Sequence, residues 1–117
     1  MSGAVSYHAG LSAEAQVARD YLRRGLPLAA QRWRGKGGEI DLIAQDGAGY
    51  VFIEVKKSRS HARAAERLSP RQVQRLFDAA GEFLAQCPAG LDTPCRFDLA
   101  LVDAQGRIEI VENALSA

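Results

Sequence analysis

Three side chains in two short segments carry the chemistry of this chain. Asp41 sits in Glu39-Ile40-Asp41-Leu42-Ile43-Ala44, and Glu54 and Lys56 sit in Tyr50-Val51-Phe52-Ile53-Glu54-Val55-Lys56. Two carboxylates supply the hard oxygen ligands that magnesium or manganese takes. An ammonium beside them offsets negative charge building on a phosphate. Together they describe phosphodiester hydrolysis assisted by a divalent cation.

That chemistry requires the carboxylates to meet. Both segments are β-prone, and residues two apart in a strand share a face. Glu39 and Asp41 therefore point one way, as do Phe52, Glu54 and Lys56. Ile40, Leu42, Val51, Ile53 and Val55 point to the other face, which is read as the core. Gln45-Asp46-Gly47-Ala48-Gly49 between the segments has turn chemistry. If Asp46–Gly49 is a four-residue loop, Gln45 pairs with Tyr50. Asp41 then faces Glu54, and Glu39 faces Lys56. Directly opposed residues have Cβ atoms about 4.5–5.5 Å apart, so Asp41 and Glu54 are like charges in contact unless a cation joins them. Glu14, on a predicted first helix, is a candidate third anchor for the metal.

A polyanion partner fits the charge pattern. Residues 1–76 hold 13 Lys/Arg against 7 Asp/Glu, and residues 77–117 hold 2 against 7. Between 56 and 76, Lys56, Lys57, Arg59, Arg63, Arg67, Arg71 and Arg75 face one acid, Glu66. Arg34 and Lys36 add charge in the turn Arg34-Gly35-Lys36-Gly37-Gly38. We expect Arg34, Lys36, Lys57, Arg59, Arg63 and Arg71 to contact a nucleic-acid backbone, in a salt-sensitive and sequence-blind way. Trp33 and Tyr50 are candidates for base stacking, with a core role favoured for Trp33. His8 is read as incidental. Cys87 and Cys95 form neither a disulfide framework nor a zinc pattern and read as reduced, semi-buried thiols.

The elements that must position these groups are legible from caps and periodicity. Ser12 caps a helix to about Arg24, with Leu11, Ala15, Ala18, Tyr21 and Leu22 on one face, and Gly25 stops it. Residues 26–34, 39–44 and 50–56 form three strands. Residues 57–68 lack an apolar face and read as a mobile basic loop. Ser69-Pro70 starts a second helix, whose Val73, Leu76, Phe77, Ala80, Phe83 and Leu84 recur at steps of three and four. Residues 96–102 and 107–111 close the chain as a hairpin around Gln105-Gly106. The order α-β-β-β-α-β-β predicts an α/β domain with a central mixed five-stranded sheet flanked by helices. The 117 residues fit one domain, 1–117, with 1–9 flexible. No run is long and apolar enough to span a bilayer and no secretion signal is visible, so a cytoplasmic location is the default expectation.

With these residues assembled, the chain resembles the PD-(D/E)xK nuclease superfamily, and within it the YraN family of small bacterial proteins. The motifs are Gly10, Glu14, Ala18 and Tyr21-Leu22, then Gly38 to Ile43, Phe52 to Lys56, and Arg96-Phe97-Asp98. Together they span nearly the whole chain. It is also similar to archaeal Holliday-junction resolvases. The resemblance implies a restriction-endonuclease-like fold and assigns Glu14, Asp41, Glu54 and Lys56 to the nuclease site. Two positions depart from the pattern: Ala13 stands where a glycine is expected, and Arg71-Gln72 replaces an Arg-Lys pair. The expected activity is a Mg- or Mn-dependent DNA endonuclease for branched or structured DNA, and cleavage of a junction would call for a two-fold homodimer. The alternative is a nucleic-acid-binding protein of nuclease fold without physiological cleavage.

Overall fold

Ser12 caps the first helix, α1 (Ala13–Arg23), by accepting the Ala15 N–H at 3.0 Å. Gly25, at φ 85°, ends it in the conformation glycine adopts without steric cost. Three strands follow: β1 (Leu28–Arg34), β2 (Glu39–Asp46) and β3 (Gly49–Lys57). A short helix α2 (His61–Glu66) and a longer α3 (Pro70–Leu84) lead through a 3₁₀ turn, Gly90–Asp92, to β4 (Cys95–Val102) and β5 (Ile108–Val111). The computed structural model describes residues 12–66 and 68–115. The expectations for residues 1–9, His8, Gly10, Leu11 and Arg67 lie outside them.

The five strands form one mixed sheet in the order β1-β2-β3-β4-β5. Every neighbour pair is antiparallel except β3 and β4, which run parallel. A parallel pair needs a crossover, and α2 and α3 supply it. The α/β architecture and its strand order are those expected from the sequence, and the final hairpin turns at Gly106 (φ 81°).

Both faces of the sheet are covered. Val17 and Tyr21 of α1 pack on Leu42, Ala44, Val51, Ile53, Ala100 and Val102. Leu76, Ala79, Ala80 and Leu84 of α3 pack on Ile40, Ile43 and Phe52. The single core face expected for β2 and β3 is thus two cores. The α1 face also differs from expectation. Val17 is fully buried, whereas Leu22 is 62% exposed. Val17 and Tyr21 lie one helical turn apart and set the phase together.

Residues 57–68 are not simply a loop. Ser60 Oγ accepts the Arg63 N–H at 3.2 Å and caps α2, and the alanine-rich HARAAE segment favours helix. Six residues are too few to display a periodicity, which is why the pattern escaped the sequence reading. His61 Nε2 lies 2.9 Å from the Arg107 carbonyl and ties α2 to the β4–β5 hairpin.

Candidate functional site

The predicted register holds where the ladder exists. Leu42–Ile53, Ile43–Phe52, Ala44–Val51, Gln45–Tyr50 and Asp46–Gly49 are all paired. The ladder stops at Leu42–Ile53, one step before Asp41 and Glu54. Beyond it the Val55 N–H donates to Asp41 Oδ2 at 2.8 Å. A side chain has replaced a backbone acceptor, so the strands part at the candidate site.

The cause lies on the other side of β2. Ile40 and Ile43 pack on the α3 side while Leu42 packs on the α1 side, so the alternation changes phase at Asp41. In β1, Ala30 and Trp33 both pack on the α3 side, which is the same change of phase. Between the pairs Gln31–Leu42 and Trp33–Ile40, Arg32 falls across from Asp41. Arg32 has φ 49°, the left-handed region. A side chain there costs roughly 1–2 kcal/mol. Strain of this kind concentrates at functional sites.

Asp41 and Glu54 are brought together. Burial, the Glu54 charge, a hydrogen bond with Glu54 and the Glu14 charge push the Asp41 carboxyl up to about 7; the Val55 N–H opposes them. Burial is the largest of these causes. A carboxyl that holds its proton near neutrality lacks sufficient positive charge beside it. Lys56 Nζ lies 3.0 Å from Glu54 Oε2, with the two side chains 16% and 14% exposed. The expected Glu39–Lys56 pair does not form. Glu39 instead accepts from Arg34 at 3.0 Å, because β2 stays paired with β1 after it leaves β3.

Glu14 reaches the site electrostatically and not as a neighbour in contact. Its Oε1 accepts from Arg32 Nε at 3.1 Å. Among the described residues, no three His, Cys, Asp or Glu side chains converge as a ready metal cage. The donor set still fits a hard cation: Asp41 and Glu54 are adjacent oxygen ligands, and magnesium completes its shell with water. Arg32 is the residue that sequence reasoning missed. Nothing in Gln31-Arg32-Trp33-Arg34 marks it apart from its neighbours; only the pairing opposite Asp41 does.

The glycine-rich turn is not the free basic loop it resembles. Glu82 of α3 accepts the N–H groups of Lys36 and Gly37, each at 2.8 Å. A Cβ at Gly38 would come within 2.7 Å of the Arg75 carbonyl oxygen, and one at Gly37 within 2.7 Å of Asp78 Cβ. These glycines let the turn lie flat on α3. Arg34, Lys36, Lys57, Arg59, Arg63 and Arg71 are all exposed. Arg71 sits in the first turn of α3, which carries no acid. A cation at a helix N-terminus opposes the helix dipole, a misfit that an anion relieves.

Trp33 and Tyr50 both stand edge-on to Phe83, with centroids 5.5 and 5.0 Å away. The core role expected for Trp33 holds, and Tyr50 shares it. Cys87 and Cys95 are free thiols. Cys87 is half-buried as expected, whereas Cys95 is exposed at the start of β4. No described helix is long and apolar enough to cross a membrane.

Residues 13–102 match the Uncharacterised protein family UPF0102. A UPF0102 protein of Cereibacter sphaeroides (strain KD131) is 65% identical over 117 residues, covering 100% of both chains. One from Ruegeria pomeroyi is 60% identical over 112 residues, 96% of this chain and 91% of its own. One from Roseobacter denitrificans is 56% identical over 115 residues, 98% of this chain and 89% of its own. The chain belongs to the UPF0102 family, the family to which the YraN resemblance pointed.

Proposed function

We propose that this UPF0102 protein is a metal-dependent nuclease that hydrolyses phosphodiesters in branched or otherwise structured DNA. The observation that carries the reading is the Asp41–Glu54 pair. Two carboxyls meet where the β2–β3 ladder opens, and one of them is pushed up to about 7 by burial and by the other. A proton at such a pair stands where a divalent cation would bind better.

Asp41 and Glu54 would hold Mg²⁺ or Mn²⁺, with Glu14 as a further oxygen donor once it leaves Arg32. When bound there, the cation would supply Lewis acidity toward the attacking water and the phosphate. The chain's own groups do the rest. The Val55 N–H fixes Asp41 Oδ2, and the proton shared with Glu54 is what the cation would displace. Lys56, poised at Glu54, turns its ammonium to the scissile phosphate and stabilises the pentacovalent transition state. Water attacks phosphorus and gives a proton to solvent, the P–O bond on the far side breaks, and the leaving alkoxide takes a proton from solvent. A branched substrate offers two related strands, which suits a two-fold homodimer.

The second reading is a nucleic-acid-binding protein of nuclease fold without physiological cleavage. The engagement of Glu14 by Arg32 favours it. The test is cleavage of branched, flapped and linear DNA with Mg²⁺ or Mn²⁺, using wild type, Asp41→Ala and Glu54→Ala. Cutting by the wild type alone supports the nuclease. Equal cutting by all three sinks the site, and tight binding with no cutting selects the second reading.

A further inference from the structure

Away from the carboxylates, α1 and the β4–β5 hairpin enclose an open cleft of about 490 Å³. Gln16, Arg19 and Arg23 line one wall, Lys57 another, and Asp103 the hairpin side. Residues 16, 19 and 23 share one helical face. We propose that this cleft binds the phosphodiester backbone of the nucleic-acid strand engaged at Asp41–Glu54, a placement that rests on the reading above.

The one acid in the cleft is already committed. Asp103 accepts the N–H groups of Gln105 and Arg107 at 3.0 and 2.8 Å, and Arg107 Nε at 3.0 Å. These bonds hold its carboxylate on the hairpin side, across the cleft from Arg19 and Arg23. Arg19 is exposed and has no ion-pair partner among the described residues. Arg23 holds Asp20 at 3.3 Å through a side chain 70% exposed, an arrangement that exchanges readily for a better anion. The cleft is open and mostly polar, which suits a hydrated, charged ligand rather than an apolar one.

The spacing of its cations favours a strand over a small anion: Arg19 and Arg23 lie one helical turn apart, about 6 Å along α1, which is about two nucleotides at the axial rise of duplex DNA. Lys57 follows Glu54 by three residues and so projects from the opposite face of β3, and a strand that joins the two passes around the end of the sheet. Beyond Lys57, α2 is docked on the same hairpin through His61 and the Arg107 carbonyl. Arg59 and Arg63, both exposed, belong to the segment docked there. Repeating charge meets repeating phosphate.

The experiment is anisotropy of labelled branched DNA with the full chain in EDTA, titrated over salt. It compares wild type with the double variant Arg19→Gln/Arg23→Gln, whose thermal midpoint is checked in parallel. Both arginines are exposed, so an unchanged midpoint is expected. The double variant should bind about tenfold more weakly, and its log–log salt slope should fall by about two. Unchanged affinity and slope, or no DNA binding by the wild type, would overturn the proposal. So would competition by inorganic phosphate equal to that by unlabelled oligonucleotide at matched ionic strength. Cleavage assayed separately in Mg²⁺ or Mn²⁺ distinguishes the two ideas: a wild type that binds in EDTA through these arginines and never cuts with metal ends the nuclease reading and leaves the cleft. A wild type that cuts, while the double variant binds normally, does the reverse.

Discussion

Replacing Asp41 by Asn should stabilise this protein at pH 8, because the wild-type carboxylate is held against its preference. The carboxyl titrates at about 7 in the fold against an ordinary 3.8. The folded state therefore binds the proton more tightly than the unfolded state. The Asp41 contribution to stability is greatest below pH 4, falls as pH rises from about 4 to 7, and is least above that. Each tenfold in proton affinity is worth ~1.4 kcal/mol, which caps the penalty at ~4 kcal/mol. Water reaches part of this side chain, and its screening brings the figure to about 2 kcal/mol. Asn keeps an oxygen to accept the Val55 N–H and removes only the charge. Thermal melting of the metal-free protein should give Asp41→Asn a midpoint about 5–10 °C above wild type at pH 8. The two midpoints should converge near pH 4. A variant no more stable at pH 8, or a gap that ignores pH, would refute the reasoning.

Lys56→Met should leave Glu54 without its counter-ion and push the Asp41 titration higher still. The pH at which wild-type stability falls should move upward in this variant; an unmoved midpoint in the same melting series would count against the Glu54–Lys56 pairing. Asp98 is fully buried and accepts from Tyr21 at 2.7 Å, Arg96 at 3.0 Å and the Asn113 N–H at 2.9 Å. Asp98→Asn should cost about 3–5 kcal/mol in urea unfolding, since it removes the buried charge to which Tyr21, Arg96 and the Asn113 N–H all donate; a loss below about 1 kcal/mol would show the network to be dispensable. Glu82→Ala should speed amide exchange at Lys36 and Gly37 selectively. Unchanged protection there would mean the turn is held by its glycine contacts alone.

The sequence carried the parts of this molecule that follow a period. Alternation in 39–44 and 50–56 and the turn at 46–49 were enough to give the register, because a slip would have put Glu54 and Lys56 on an apolar face. Long helices with caps, such as α3 after Ser69-Pro70, were equally legible. What escaped lies where the period breaks. The phase change at Arg32 and Asp41 requires one residue at φ 49°, and nothing in an arginine announces that. It is this break that frees Asp41 to take the Val55 N–H and that sends Glu39 to Arg34 instead of Lys56. Gly35, Gly37 and Gly38 read only as a basic turn; their neighbours Asp78, Glu82 and Arg75 lie some forty residues away in sequence. Contacts of that range leave no local trace. Family membership likewise comes from the whole length of the chain, and the chemistry of Asp41 and Glu54 has to be argued from their geometry.

The claim at the centre is that Asp41 and Glu54 together hold a divalent cation. Calorimetric titration of Mn²⁺ into the apo protein at pH 8, with wild type, Asp41→Asn and Glu54→Gln, measures it directly. The account predicts one site per chain in the wild type, with proton release as pH is lowered toward 7, and loss of the site in either variant. Wild-type protein that takes up no Mn²⁺, or variants that bind it as the wild type does, would contradict it.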